Sequence, residues 1–336
     1  MKFLNVLEGE AAWPPPLWLM RQAGRYLPEY REVRAKAGDF ISLCLNPALA
    51  EEVTLQPIRK FGFDAAILFS DILILPMALG QGLRFAEGEG PRLPPLEDIS
   101  LLKLERAAGV YTPVIETVSR LRQSLPTDTA LIGFAGGPAT VASYMLDGQG
   151  GGFYRTKELS YARPGFVRDV LNILTDATIE YLSAQVDAGA DCVMLFESWA
   201  GIFPPAQFRE FVIEPNRKIS AALKARHSGL RMIGFPRLAG LMLGEYAYGA
   251  GMDAVGLDSV TDIRAARAVC PPGMALQGNL DPLLLKLGGE ALEAAVRALL
   301  EDVRGFPHIF NLGHGITPDV PQAHVARLVE LVRQSK

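Results

Sequence analysis

"PGFVRDVLNILTDATIEYLSAQVDAGADCVMLFES", residues 164–198, joins a long segment of helical period to a continuous apolar run. Pro164 suits the first position of a helix, the amphipathic pattern continues to Ala188, and Gly189 suits a helix end. The run at 192–198 stays apolar until its polar end, as in strands of a parallel sheet that helices cover on both faces. The stretch therefore predicts one helix and one strand of an α/β protein.

Similar short apolar runs alternate with helical segments along the rest of the chain. They are LWLMR at 17–21, AAILFSD at 65–71, ALIGFAGG at 130–137, RMIGFP at 231–236, AVGLD at 254–258, MALQGN at 274–279 and IFNLGHG at 309–315. Eight strands alternating with helices predict a closed (β/α)8 TIM barrel, and a doubly wound open sheet is the alternative. We expect a single domain over 1–336, with a Pro/Gly-rich insertion at 82–100 after the second strand.

Four further helix boundaries can be read from the sequence. Asn46 and Pro47 match an N-cap and a first helical residue, and Gly62 is a natural stop for the same helix. Thr261 is expected to cap the helix that begins with DIRAARAV, and Thr317 to begin the final helix.

Charge and cysteine content exclude several classes of protein. The formal net charge is −4, so the strongly basic footprint of a nucleic-acid-binding protein is absent. The three cysteines Cys44, Cys192 and Cys270 lie far apart, which argues against a disulfide framework and fits the cytoplasm. The most apolar window, at 65–80, is interrupted by polar Asp71 and is too short to cross a membrane. We expect partners that are neither nucleic acid nor membrane.

In a TIM barrel, the residues that end the strands share one pocket. Here that set combines several arginines with few acids, which suggests a polycarboxylate or phosphate ligand held by charge-assisted hydrogen bonds. Its members are Arg21, Arg25, Ser70, Asp71, Gly136, Gly137, Glu197, Ser198, Arg237, Asp258, Gln277, Asn279, Asn311 and His314.

Common cofactor and metal motifs are missing from the sequence. Neither GxGxxG after the first strand nor GxxxxGK[ST] occurs, so a dinucleotide or P-loop nucleotide is not supported. HExxH and GxSxG are also absent, and the four histidines lack metal-ligand spacing. The expected site uses arginine, aspartate, tyrosine, serine and histidine, with no metal and no cofactor.

Six blocks of the sequence match a known family, in the family's order. They are LMRQAGRYLPEYR at 19–31, LFSDIL at 68–73, FESWAG at 196–201, GFPR at 234–237, QGNLDP at 277–282 and NLGHGI at 311–316. With these blocks the chain resembles the uroporphyrinogen decarboxylase family. The resemblance implies a (β/α)8 barrel that works as a cofactor-free homodimer in haem and porphyrin biosynthesis. Such a lyase converts the four acetates of the tetrapyrrole uroporphyrinogen III to methyls, giving coproporphyrinogen III and four CO2.

The resemblance also implies residue roles, with Asp71, Arg21 and Tyr144 as the catalytic set. Asp71 would accept the inward pyrrole N–H groups, although an aspartate after a strand is also a common helix cap. Arg21 and Arg25 would bind substrate carboxylates, although arginines often serve only in surface salt bridges. Arg21 as the proton donor is a weaker interpretation, because the pKa of a guanidinium exceeds about 12.

The remaining implied positions complete the substrate-binding set. Tyr144 and Ser198 would offer hydroxyls to carboxylates, and His314 would bind a propionate or assist proton transfer. Phe69 and Phe196 would form apolar walls, although barrel core is the simpler interpretation for both. Leu45 departs from the family, which commonly carries a basic residue at that position, so one carboxylate contact is expected to be absent or supplied elsewhere.

Two other functions fit parts of the sequence. A corrinoid-dependent methyltransferase would share the barrel superfamily but would need zinc held by His-x-Cys and a later Cys, whereas residues 234–238 read GFPRL. A non-catalytic tetrapyrrole-binding protein would keep Asp71 and the apolar walls without needing the full polar set.

Overall fold

The computed structural model describes residues 1–86 and 90–335, and most of the predicted apolar runs form strands in it. Seven strands build a parallel sheet in the order β1-β4-β5-β6-β7-β8-β9, and β2 and β3 form a separate antiparallel pair. The strands are β1 Ala65–Ile67, β2 Arg84–Ala86, β3 Gly90–Arg92, β4 Ala130–Gly136, β5 Cys192–Glu197, β6 Arg231–Pro236, β7 Ala254–Gly256, β8 Ala275–Leu280 and β9 His308–Leu312. The α/β class with a parallel sheet is confirmed.

Helices separate the parallel strands, as the alternating pattern predicts. The α-helices are α1 Lys2–Leu7, α2 Pro28–Ala37, α3 Phe40–Cys44, α4 Pro47–Phe61, α5 Ile74–Ala78, α6 Leu104–Ser124, α7 Pro138–Asp147, α8 Tyr154–Ala162, α9 Pro164–Asp187, α10 Pro205–Gln207, α11 Glu214–Arg226, α12 Leu243–Gly249, α13 Ile263–Val269, α14 Pro282–Leu287, α15 Gly289–Val303 and α16 Gln322–Arg333. Short 3-10 turns occupy Ile99–Leu101, Ala200–Ile202 and Gly240–Met242, and a π-helical turn occupies Phe208–Ile213.

The core lies on both faces of the sheet. All seven residues of β4 are buried, as continuous apolar strands under helices should be. Trp18 and Phe310 are among the largest side chains without exposed surface, and the Trp18 indole donates to Gln277 across 2.9 Å. This packing fixes the strand ends that carry the site.

The predicted first strand, 17–21, is wrong as a regular strand, since only Leu17 forms a β-bridge, to Phe310. Side-chain oxygens accept hydrogen bonds from the backbone N–H groups that would otherwise pair with a neighbouring strand. The N–H of Leu17 donates to the Asp64 carboxylate at 2.6 Å, and the N–H of Met20 to the Asn311 side chain at 3.0 Å. The segment still lies between β9 and β1, because Phe310 donates to the carbonyl of residue 16 and Asp64 to that of Leu17.

The predicted insertion at 82–100 falls partly on residues 87–89, which lie outside the described residues. Its described part contains β2, β3 and the 3-10 turn Ile99–Leu101, and it follows α5. The insertion itself stays a prediction.

Two predicted helix starts are wrong, although Asn46, Gly62 and Pro164 behave as expected. Asp262 caps α13 by accepting from the Ala265 N–H, because the Thr261 hydroxyl donates instead to Asp258 at 2.7 Å. The final helix begins at Gln322, after a turn in which the Thr317 hydroxyl donates to Asp319.

Candidate active site

Predicted site residues follow the carboxyl ends of neighbouring parallel strands. Asp71 comes after β1, Ser198 after β5 and Arg237 after β6, while His314 follows β9. Since the register of the parallel strands places these ends along one edge of the sheet, the polar groups share one side of the fold.

Asp71 is half-buried and uses one of its two carboxylate oxygens. Oδ1 accepts from the backbone N–H of Leu73 at 2.8 Å, which closes a turn before α5, whereas α5 itself has no side-chain cap, so the helix-cap alternative for Asp71 is wrong. Burial raises the pKa of Asp71, while the Leu73 hydrogen bond and the charge of Arg21 act in the opposite direction. Among the described residues no donor reaches Oδ2, which leaves this oxygen for a ligand.

Arg21 is exposed and has an unusual backbone, with a φ of +62°. Non-glycine residues at positive φ cluster at functional sites. No carboxylate of the described residues lies within ion-pair distance of its guanidinium. Space for the side chain depends on Gly315, because a Cβ there would stand 2.3 Å from the Arg21 Cδ. The charge of Arg21 affects the pKa of both Asp71 and His314, so it lies close to both.

Arg25 is also exposed, but the structure places it differently. Its carbonyl accepts from the Arg31 guanidinium at 2.7 Å, and its charge lowers the otherwise raised pKa of Tyr30. No described contact joins the Arg25 guanidinium to Asp71. The two arginines of the sequence motif therefore face different neighbours.

Tyr144 lies on α7 with its hydroxyl held by Trp199. The Trp199 indole N–H donates to the Tyr144 oxygen at 3.2 Å, and Phe153 packs edge-on against both rings. Burial raises the pKa of Tyr144, so the phenol keeps its proton at neutral pH. Because the oxygen already accepts from Trp199, the Tyr144 O–H remains a donor toward a ligand.

Glu197 holds the segments that carry Tyr144 and Trp199 through hydrogen bonds, a role that the sequence did not reveal. Its carboxylate accepts from the Ala139 N–H, the Thr140 N–H and hydroxyl, and the Asn216 amide, at 2.8–3.2 Å. The Thr140 hydroxyl in turn accepts from the backbone N–H of Trp199 at 3.1 Å. Burial raises the pKa of Glu197 to about 7. The sequence placed Glu197 among the strand-end residues of the pocket but did not indicate this supporting role.

His314 and Ser198 flank the same edge. Burial, with the charges of Arg21 and Arg237 added, lowers the pKa of His314 to about 4, so the imidazole is neutral at pH 7. Nδ1 accepts from the Gly315 N–H at 2.7 Å, which leaves the proton on Nε2. Ser198 is half-buried, and its carbonyl accepts from Arg237.

The two phenylalanines differ in exposure, and Leu45 lies at a helix end. Phe69 is buried between Tyr30 and Phe40, whereas Phe196 is half-buried between other rings of β4 and β6. Leu45 ends α3 and packs against the core. These contacts fit the core interpretation of Phe69 and leave part of Phe196 available to a ligand.

The part of the chain that the structure describes contains neither a metal-binding cluster nor a membrane-spanning helix. There, no three side chains of His, Cys, Asp or Glu are placed to hold a metal ion. No helix among these residues is long and apolar enough to cross a membrane.

The model of one protein family, uroporphyrinogen decarboxylase (URO-D), matches residues 1–335. The chain belongs to the uroporphyrinogen decarboxylase family. A relative of that name from Acidiphilium cryptum is 58% identical over 98% of this chain and 93% of its own length. One from Granulibacter bethesdensis is 56% identical over 98% of each chain. Family membership therefore covers the whole barrel-like fold and the edge that carries the site.

Solved structures show a similar fold at low sequence identity. A methyltransferase from Methanosarcina mazei has a TM-score of 0.80 at 22% identity, covering 98% of this chain and 97% of that chain. A B12-independent methionine synthase from Shewanella sp. W3-18-1 has a TM-score of 0.55 at 12% identity, covering 96% and 94%. These two likenesses concern the fold alone, which this decarboxylase family shares with other enzymes.

Proposed function

We propose that the chain decarboxylates the four acetate side chains of uroporphyrinogen III to methyls, giving coproporphyrinogen III and four CO2. Family membership over residues 1–335 supports this reaction. The observation that locates the reaction is the environment of Asp71. No donor of the described residues reaches its Oδ2, and the charge of Arg21, which has no carboxylate partner among these residues, lies nearby.

Asp71 is proposed as the acceptor for the inward N–H groups of the macrocycle. A metal-free tetrapyrrole presents several N–H donors to one point, and a carboxylate oxygen offers acceptor sites without donors of its own. A cationic pyrrole nearby would favour the ionised form and offset the effect of burial on the pKa of Asp71. Asp71 would then stabilise positive charge that develops on the ring.

Carboxylate recognition is assigned to the groups around Asp71. Arg21 offers a planar fork of donors, and Tyr144, Ser198 and His314 offer neutral ones. Arg25 is proposed as a more distant carboxylate ligand, in keeping with its separate neighbours. Phe196 would contact the pyrrole face through its half-exposed ring.

The chemistry needs a sink for the electrons that remain when CO2 leaves. A pyrrole protonated on carbon can serve as that sink, so the protein supplies protons, position and charge. Arg21 is better suited to positioning the acetate than to donating a proton, because a guanidinium is a very weak acid and a strong bidentate hydrogen-bond donor. Tyr144 and His314 Nε2 carry protons on the same edge.

The finer features of the fold and assembly are proposed with the reaction. We infer that residues 16–20 take the place of the eighth barrel strand in a single domain over 1–336, with 82–100 inserted. The backbone bonds of this segment to Phe310 and Asp64 support closure. A homodimer is proposed from the family resemblance alone, a cytoplasmic location from the widely spaced cysteines, and partners other than nucleic acid or membrane from the net charge and the short apolar window.

An anaerobic assay tests the reaction directly. Chemically reduced uroporphyrin III is incubated with the purified protein, and chromatography counts the carboxylates on the product. We expect stepwise loss of four, ending at the tetracarboxylate. A folded protein that removes none would contradict the proposal.

One variant and a metal assay separate this function from its alternatives. Asp71→Asn keeps the acceptor for Leu73, so it should fold normally and lose turnover by a factor on the order of 10² to 10³. A binding protein would show substrate affinity without turnover in either form. A zinc-dependent methyltransferase would hold stoichiometric zinc in elemental analysis.

A further inference from the structure

Arg237 is a third cation on the site edge, and so far it has been named only as one of the strand-end residues, without a contact of its own to the substrate. It follows the last residue of β6, beside Ser198 at the end of β5. Its backbone is firmly held, because its N–H donates to the Glu197 carbonyl at 3.1 Å and its carbonyl accepts from Gly201 at 3.2 Å. The side chain therefore starts from a fixed point on the sheet.

The guanidinium of Arg237 is half-buried and poorly satisfied. Its only hydrogen bond in the described part of the chain reaches the Ser198 carbonyl at a long 3.4 Å. It lies over the Trp199 ring, 5.7 Å from the ring centroid, and no described carboxylate pairs with it. A guanidinium has five N–H donors, so most of them remain available.

The turn that follows Arg237 has the backbone strain expected near a binding site. Leu238 has a φ of +59° although it is not glycine, and 44% of its surface is exposed. Its N–H donates to the buried carboxylate of Asp258 at 2.6 Å, which holds the turn in this conformation. The positive φ of Leu238, held by this hydrogen bond, sets the direction in which the backbone continues after Arg237.

The charge balance of the edge indicates what Arg237 would bind. His314 is neutral, so it offers no positive charge to an anion. The Glu197 carboxylate accepts from donors of the protein itself and offers none either. Among the described residues, Arg21 and Arg237 are the two cations whose charges reach both Tyr144 and His314. A ligand with several carboxylates that meets Tyr144 would therefore lie between two unpaired guanidinium groups.

We propose that Arg237, seated on Trp199, is a carboxylate-binding residue for a peripheral carboxylate of the polycarboxylate substrate, opposite the one that Arg21 holds. This inference rests on the proposed function for the identity of the substrate. It adds a binding subsite on β6 that the motif arginines of residues 19–31 do not provide.

Equilibrium binding tests the subsite without requiring turnover. Fluorescence titration measures the affinity of uroporphyrin III, an octacarboxylate, for the wild type and for Arg237→Gln, Arg237→Lys and Arg297→Gln. The last is a control, since Arg297 is 70% exposed and pairs within its helix with Glu293. We expect Arg237→Gln to weaken binding about tenfold, Arg237→Lys to recover part of the loss, and the control to bind as the wild type does.

Coproporphyrin III, a tetracarboxylate, provides a second ligand. Equal weakening for both porphyrins would assign a retained carboxylate to Arg237, and weakening for the octacarboxylate alone a carboxylate that the reaction removes. Both results support the subsite. Unchanged affinity of Arg237→Gln for both ligands, with the unfolding midpoint of the wild type, would overturn it. Failure of the wild type to release CO2 in the anaerobic assay would instead count against the proposed function.

Discussion

The indole N–H of Trp199 donates to the hydroxyl oxygen of Tyr144 across 3.2 Å. The bond joins the turn after β5 to α7 and orients the phenol. A Tyr144 oxygen that accepts from Trp199 turns its own O–H toward other acceptors, and a substrate carboxylate is the proposed one. We therefore propose Trp199 as a positioning residue and Tyr144 as the group that meets the substrate.

Trp199→Phe should lower kcat about threefold to tenfold while leaving the ring contact with Phe153 largely in place. If Trp199 acts through the Tyr144 hydroxyl, adding Trp199→Phe to a protein that already carries Tyr144→Phe should change kcat very little. The measurement is a double-mutant cycle on kcat and KM. Fully additive effects of the two changes would contradict the positioning role.

Glu197 should make the protein less stable as pH rises through the acidic range. Its pKa is raised from 4.5 to about 7 by burial, so between these values the folded protein holds a proton that the unfolded chain has lost. Stability is then greatest below about pH 4.5 as far as this group is concerned, and it falls by about 3 kcal/mol on reaching pH 7.

Denaturant unfolding of the wild type and Glu197→Gln, each from pH 4.5 to 7.5, measures this effect. The glutamine does not titrate, so its curve should lack the decline that Glu197 contributes. The slopes against pH are compared, since the amide also changes the bonds to Thr140 and Asn216. Parallel slopes for the two proteins would show that Glu197 does not titrate in this range.

Much of the fold follows from local sequence, because continuous apolar runs between helical segments specify buried parallel strands. The exception at 17–21 has a tertiary cause. Asp64 and Asn311 supply acceptors for its N–H groups from 47 and 291 residues away, which no local pattern reveals. The sequence predicted Arg21 and Arg25 as carboxylate-binding residues. The position of Arg21 beside His314 depends on Gly315, which is far away in the sequence.

The site shows the same division between local and distant information. Asp71 lies in a quoted motif block and Tyr144 is implied by the family resemblance, whereas the Trp199 bond to Tyr144 spans 55 residues. The position of Asp71 after a strand left a helix cap open as an alternative, whereas the structure shows a turn bond to Leu73 and a second carboxylate oxygen that no donor of the described residues reaches. Chemistry was therefore more predictable than the contacts that orient it.

His314 should remain neutral well below the usual range of histidine, because burial and two arginines lower its pKa to about 4. Its imidazole resonances, followed by NMR from pH 3.5 to 8, should titrate near the bottom of that range. Arg237→Gln removes one of the positive charges, so the pKa of His314 should rise in this variant. Arg297→Gln, which changes an exposed helix pair, should leave the His314 pKa where it is. An unshifted His314 pKa in Arg237→Gln would place the Arg237 charge farther from the imidazole than the structure does.

Gly315→Ala should displace Arg21 without unfolding the protein. The added Cβ would stand 2.3 Å from the Arg21 Cδ, and a flexible side chain can move aside. A displaced guanidinium can no longer hold a carboxylate in its original position, so KM should rise about fivefold to tenfold. Arg21→Lys, which keeps the charge and loses the fork, should raise KM to a similar degree. The double variant should then add little to either change. Gly165→Ala is the matched control, since nothing lies within 4 Å of its added Cβ in α9, and its KM should equal that of the wild type. A wild-type KM for Gly315→Ala would mean that substrate binding does not depend on where Arg21 lies.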